Sequence, residues 1–215
     1  KGFVDHANYH YDDANILVSG RKAEGGNDTG SGIEFNSRNT GNSNWLHGAI
    51  TMDRSGHYIF KNGGAGTTVG TEKLRIASDG EVTEPLQPSF QAYHANGVNG
   101  SNITFNNTYH NNGNHFNAST GVFTCPVNGR YLFTFAFLHS NSPTTYARVL
   151  FRINGSTNTR YGDTLCDDTG LYINTSMSMI FNLSENDEIR LYCEGNNIYA
   201  QPSSQYGSFS GCLLF

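Results

Sequence analysis

The chain has 215 residues, enough for one large or two small domains, with a formal net charge of −5 and only 14% charged residues. No Lys/Arg cluster of the kind that binds phosphate is present, which argues against a nucleic-acid partner. No apolar run approaches the ~20 residues needed to cross a bilayer as a helix, so membrane insertion is not expected. Fourteen Phe and twelve Tyr stand among abundant Gly, Asn, Ser and Thr. Short aromatic or β-branched runs broken by Asn/Gly clusters predict an all-β protein. Helical periodicity is missing over any window of twelve residues or so.

In chain order, the sequence starts at Lys1 rather than Met and shows no signal-peptide pattern, which predicts a fragment or a processed product. His6 and His10, in DHANYHYDD, could line a trimer axis and ligate a transition metal, or simply belong to a frayed start. Strand-like runs follow at 15–18, 32–35, 48–51, 58–60 and 73–76. Residues 1–86 hold fourteen Gly but only sixteen Ile, Leu, Val or Phe, too little apolar material for a monomeric core. The expectation is an intertwined, Gly-rich β region. The segment PLQP at 85–88 reads as an extended connector between this region, 1–86, and a head, 87–215.

The head has eleven Phe, nine Tyr, five Arg and no Lys. Residues 131–137 (YLFTFAF) alternate with period two, as a half-buried strand does. Residues 147–153 form another run, ended by the turn pair Asn154-Gly155; further strands are expected at 176–181, 188–192 and 211–215. At least eight short strands predict a sandwich or jelly roll. The cysteines are Cys125, Cys166, Cys193 and Cys212, with no C-x-x-C spacing. Cys125, Cys193 and Cys212 fall in apparent strands among apolar neighbours and read as buried free thiols, although one disulfide is compatible with the spacing.

One spaced pattern runs through FNNTYHNNGNHFNASTGVFTCPVNGRYLFTF: Phe105, Asn111, Phe116, Phe123, Gly129, Tyr131, Phe133 and Phe135. All eight positions match the signature of the C1q globular domain, which the head resembles over residues 89–215. The end, SQYGSFSGCLLF, is similar to that family's last strand, and LSENDEI at 183–189 to the turn before its penultimate strand. The aromatics read as core, Gly129 as a tight turn before a strand, and Gly211 as a site of close backbone approach. The resemblance implies a jelly-roll β-sandwich of the C1q/TNF kind that assembles as a homotrimer. In front of it, GTEKLRIASDGEV at 70–82 is similar to a segment of bacteriophage tail-fibre shafts, and SGIEFNSRN resembles their neighbouring strand-and-turn units.

Together the two resemblances imply a trimeric tail-fibre tip, a receptor-binding protein carried on a virion and acting outside the cell. It would attach to a bacterial surface polysaccharide or lipopolysaccharide. The alternatives are a C1q-like secreted lectin or cytokine-like ligand, and a capsule depolymerase tip. No catalytic constellation stands out: GSFSG places Phe209 where a nucleophile elbow needs Ser, so the expectation is not an enzyme. Candidate ligand contacts are Tyr109, His110, Asn112 and His115 in a polar loop, and Asn197, Tyr199 and Tyr206 near the end. The alternative for each is an exposed Asn/Gly-rich loop without a ligand. Asp163, Asp167 and Asp168 precede a strand; calcium is the cofactor that the resemblance implies there, and a solvated acidic turn is the alternative. N-x-[ST] sequons, among them Asn27, Asn102, Asn106, Asn117, Asn154, Asn174 and Asn182, are what an Asn-rich chain gives by chance, or acceptors in a secreted animal protein.

Overall fold

Every regular element among the described residues is a strand. The computed structural model describes residues 15–19, 31–38, 45–65, 70–140, 146–156, 172–199 and 206–215. The chain divides into two units, Lys1–Leu86 and Gln87–Phe215.

In the first unit the five expected runs are all strands: β1 (Asn15–Ser19), β2 (Ser31–Arg38), β3 (Trp45–Met52), β4 (Tyr58–Ala65) and β5 (Thr71–Ile76), followed by a short β6 (Val82–Thr83). They form one antiparallel sheet in sequence order, each strand paired with the next in the same chain. The β3–β4 turn is held by the Asp53 carboxylate, which accepts from the backbone N–H of Ser55 at 2.9 Å and of His57 at 3.0 Å. Ala49 and Ile59 are buried here, while Phe35, Met52, Tyr58 and Val82 are exposed. A single sheet has no second layer to bury a face against.

The second unit contains β7 (Ser89–Asn96), β8 (Ser101–Asn102), β9 (Thr104–Asn112), β10 (Phe116–Asn117), β11 (Val122–Thr124), β12 (Gly129–His139), β13 (Arg148–Ile153), β14 (Ile173–Leu183), β15 (Glu188–Glu194) and β16 (Gly207–Leu213). One sheet runs β14-β12-β16-β7-β9; the other runs β10-β11-β15-β13, with β8 also on β15. All these pairings are antiparallel, and non-consecutive strands lie side by side. That is a jelly-roll sandwich.

Its core follows from the alternation. Tyr131, Phe133, Phe135 and Phe137 point inward from β12 and are fully buried; Leu132, Thr134 and Ala136 face the other way. Phe90 stacks on Phe116 at 4.2 Å between ring centroids and meets Phe209 edge-on at 4.9 Å. Each such ring contributes roughly 1.5–3 kcal/mol through burial. Gly211 lies hard against these rings: a Cβ there would sit 2.5 Å from Phe133 Cδ1 and 2.8 Å from Phe90 Cε1. It therefore makes room for rings, not for a neighbouring backbone.

Gly129 also differs from expectation. It carries no positive φ; it is the first residue of β12, and a Cβ would meet Leu213 Cδ1 at 2.6 Å. Its role is space against the last strand, not turn geometry. Asn154-Gly155 is the expected turn, with φ of 52° and 68° and the Ser156 N–H donating to Ile153 O at 3.0 Å. The last strand starts at Gly207 rather than at residue 211, because Phe209 belongs to the core opposite Phe135. Cys125 lies just beyond β11 rather than within a strand. The described cysteines, Cys125, Cys193 and Cys212, are free. Burial pushes the thiols of Cys125 and Cys193 up to about 12. Cys166 lies outside the described residues.

Asn111, the one polar residue of the spaced pattern, closes a corner. The chain turns through Gly113 and Asn114, both at positive φ. The Asn111 side-chain Nδ2 donates to Phe116 O at 2.7 Å, and its Oδ1 accepts the Phe116 N–H at 3.1 Å. The side-chain amide thus acts as a one-residue strand partner that holds Phe116 over Phe90.

Candidate functional site

Three strand ends converge beside the last residues of β12. The Tyr199 N–H donates to Leu138 O at 2.7 Å, and the Leu138 N–H donates to Tyr206 O at 2.9 Å. Tyr172 immediately precedes β14, the partner of β12 along its whole length. Three tyrosine rings are gathered as a result. Tyr172 and Tyr199 meet edge-on at 4.9 Å and 71°, and Tyr199 and Tyr206 lie 5.5 Å apart at 51°. Tyr172 and Tyr206 are half exposed, at 52% and 51%.

A polar cluster underlies this end. His139, Thr175 and Asn196 are buried. His139 Nδ1 lies 3.3 Å from Asn196 O and Nε2 lies 3.0 Å from Thr175 Oγ1. A carbonyl only accepts, so Nδ1 carries the proton and Nε2 accepts from the Thr175 hydroxyl. Burial lowers the His139 pKa, partly offset by the bond to Asn196, and keeps the imidazole neutral. Asn196 in turn donates its Nδ2 to Ser140 O at 2.6 Å. The network fixes the backbone that carries Tyr199.

The other sequence candidates are dispersed. Tyr109, His110 and Asn112 are not in a loop: they lie in β9, an edge strand of the sheet β14-β12-β16-β7-β9, the larger of the two by strand length. The Tyr109 ring, 52% exposed, stacks on Tyr93 at 4.2 Å. With Gln91 and Ser208 the two rings line a shallow recess of about 390 Å³. Asn112 donates its Nδ2 to Gln87 O at 2.8 Å, a tie within the scaffold. His115 faces elsewhere, into a depression of about 580 Å³ shared with Asn117, Thr120, Glu185 and Arg190. Asn197 accepts the Asn99 N–H on its Oδ1 at 2.8 Å, which ties two loops together. Asp163, Asp167 and Asp168, and His6 and His10, lie outside the described residues. Among the described residues, no group of three His, Cys, Asp or Glu could hold a metal ion.

Of the seven ligand candidates, the structure brings together Tyr199 and Tyr206 and adds Tyr172. Sequence reasoning missed Tyr172 because the contact depends on the pairing of β12 with β14. The available signal was a tyrosine at the mouth of a strand, a place where ring and hydroxyl can both stay accessible.

The C1q domain model matches residues 89–214, and the chain belongs to that family. Mouse complement C1q tumor necrosis factor-related protein 2 is 34% identical over 116 residues, which is 53% of this chain and 37% of that protein. Human complement C1q tumor necrosis factor-related protein 3 is 31% identical over 137 residues, 62% of this chain and 54% of that protein. The chain thus spans between about a third and about half the length of these relatives. Among solved structures, the globular domain of the zebrafish complement 1qA protein aligns with a TM-score of 0.48 at 18% identity, covering 60% of this chain and 98% of that one. Murine APRIL aligns with a TM-score of 0.48 at 12% identity, covering 60% of this chain and 99% of that one. Among the described residues, no helix is long and apolar enough to cross a membrane.

Proposed function

We propose that the second unit is a non-catalytic, extracellular binding head of the C1q type, working as a homotrimer and gripping a surface saccharide with Tyr172, Tyr199 and Tyr206. The tyrosine group carries this reading: three rings, two half exposed, rest on a buried polar network that holds them in place. Tyrosine offers a rigid ring to the apolar face of a sugar and a hydroxyl to its polar edge, at low conformational cost. The trimer is supported by the outward face of the larger sheet. At its centre this face shows Leu132, Thr134, Ala136, Ser178, Ile180 and Ser210, with Ile180 58% exposed and no charged side chain among them. Such a face suits burial against further copies of the chain.

The test is binding of the purified chain to an array of immobilised surface saccharides, with its mass in solution recorded alongside. Expected is a particle of three chains with saturable binding, and Tyr172→Ala and Tyr206→Ala variants that keep that mass but bind at least about tenfold more weakly, or ~1.4 kcal/mol. Unchanged binding by both variants would remove the tyrosines from the site.

A second reading, the receptor-binding tip of a bacteriophage tail fibre with a bacterial polysaccharide or lipopolysaccharide as target, is favoured by the first unit. Its single sheet leaves Phe35, Met52 and Tyr58 exposed. Association with other copies of the same chain would cover those residues, as a trimeric shaft would. Strain-selective adhesion to whole bacteria separates this reading from a secreted lectin or cytokine-like ligand. Loss of polymer viscosity on incubation would instead mark a depolymerase.

A further inference from the structure

The outward face of the smaller sheet carries charge in a pattern that folding does not require. Of the five Arg in the head, Arg148, Arg152 and Arg190 lie on the paired strands β13 and β15. Arg148 stands opposite Glu194 and bonds it at 3.3 Å. Arg152 stands directly opposite Arg190, and like charges in that register destabilise a sheet. Arg190 pairs with Glu188 through one terminal nitrogen. Its buried Nε–H has no acceptor among the described residues. Arg152 has no carboxylate partner among the described residues; its guanidinium lies over the Tyr192 ring, 3.2 Å from the centroid. That cation–π contact holds the fork in a fixed orientation. On β13 and β15 themselves, three arginines against Glu188 and Glu194 leave one positive charge, in a chain whose net charge is −5.

Arg190 also lines the depression of about 580 Å³ that contains Asn117 and Thr120, together with Glu185 and Glu188, whose carboxylates accept from hydroxyls and keep an anionic group at the Arg152 end. We propose that Arg152 and Arg190 bind the anionic group of an acidic saccharide, with its hydroxyls in this adjoining depression. The planar fork of Arg fits the two oxygens of a carboxylate or a sulfate ester. A singly charged group neutralises the residual charge and relieves the Arg152–Arg190 opposition. The overall negative charge of the chain disfavours diffuse attraction of polyanions, so binding of one must be local. This site does not depend on the tyrosine group, whose variants leave it intact.

The experiment titrates the full chain at roughly 50 mM salt with alginate, whose acids are carboxylates, with dextran sulfate, and with uncharged dextran. The expected result is binding of one or both polyanions but not of dextran, weakening as salt is raised. Arg152→Gln is expected to bind about tenfold more weakly with its melting temperature unchanged. Arg152→Lys, which keeps the charge but not the fork, is expected to lose most of that affinity too and decides the matter should the Gln variant fold poorly. Arg130→Gln, on the other sheet, is expected to bind normally. The polyanion that binds identifies the group. No polyanion binding, equal binding by Arg152→Gln and the parent, or equal losses at Arg152 and Arg130 would each overturn the proposal.

Discussion

Replacing Asn111 by Ala removes the clamp on the corner between β9 and β10. Two hydrogen bonds are lost, at 2.7 and 3.1 Å, both to the backbone of Phe116, whose side chain is buried. At roughly 1 kcal/mol net for each bond, with a further penalty where the freed N–H and C=O stay away from water, the loss is about 2–3 kcal/mol. For a head of about 130 residues that lowers the melting temperature by roughly 6–15 °C. Asn111→Asp separates the two contributions, because a carboxylate still accepts from the Phe116 N–H but cannot donate to its carbonyl. Its loss is therefore expected to be no smaller than about half that of the Ala variant at neutral pH. Differential scanning calorimetry at fixed protein concentration reads both. A drop of less than about 2 °C in the Ala variant would show that the corner closes without the amide.

Gly211→Ala is expected to destabilise the head by about 1–3 kcal/mol, because its Cβ would lie 2.5 Å from a buried Phe133 ring atom; an unchanged urea midpoint would refute this. Cys125 and Cys193, with thiols raised to about 12, should resist alkylation at pH 8 in the folded protein and label readily in urea, as peptide mapping would show. Prompt labelling of either in the native state would contradict their burial. The lowered pKa of His139 means that the folded state prefers the neutral imidazole. Its contribution is complete above the unfolded value of about 6.5 and is lost as pH falls through the lowered folded value. The urea midpoint should decline between pH 7 and 5, and His139→Gln should flatten that decline; an equal slope in the variant would sink the assignment.

The aromatic strands were legible because alternation and burial coincide: in 131–137 every second residue is a ring, and every ring is fully buried. The spaced pattern through Phe105 and Phe135 was legible for the same reason, since each aromatic fills a core position. Residues 109–115 have the composition of a loop, because Tyr-His-Asn-Asn-Gly-Asn-His lacks the alternating apolar residues of a half-buried strand, yet 109–112 are strand. An edge strand needs none on its open side, and here pairing with β7 wins over low propensity. The tyrosine group and the Arg152–Arg190 opposition are matters of register between distant strands, which composition and spacing do not encode. Gly129 shows the limit of reading glycine from sequence alone. Close approach and positive φ both select it, and only coordinates tell them apart.

The strand that enters the sandwich, β7, lies antiparallel to the one that leaves it, β16, with Ser89 opposite Cys212 and Tyr93 opposite Ser208. Gln87 and Tyr206, each just before one of these strands, therefore sit at opposite ends of the same ladder. A pull between them drives the two strands past each other along their length. The cross-strand hydrogen bonds are then loaded together, in shear, rather than opened one at a time as in a zipper. A head held at residue 87 and gripping at Tyr206 meets force along its mechanically stiff direction.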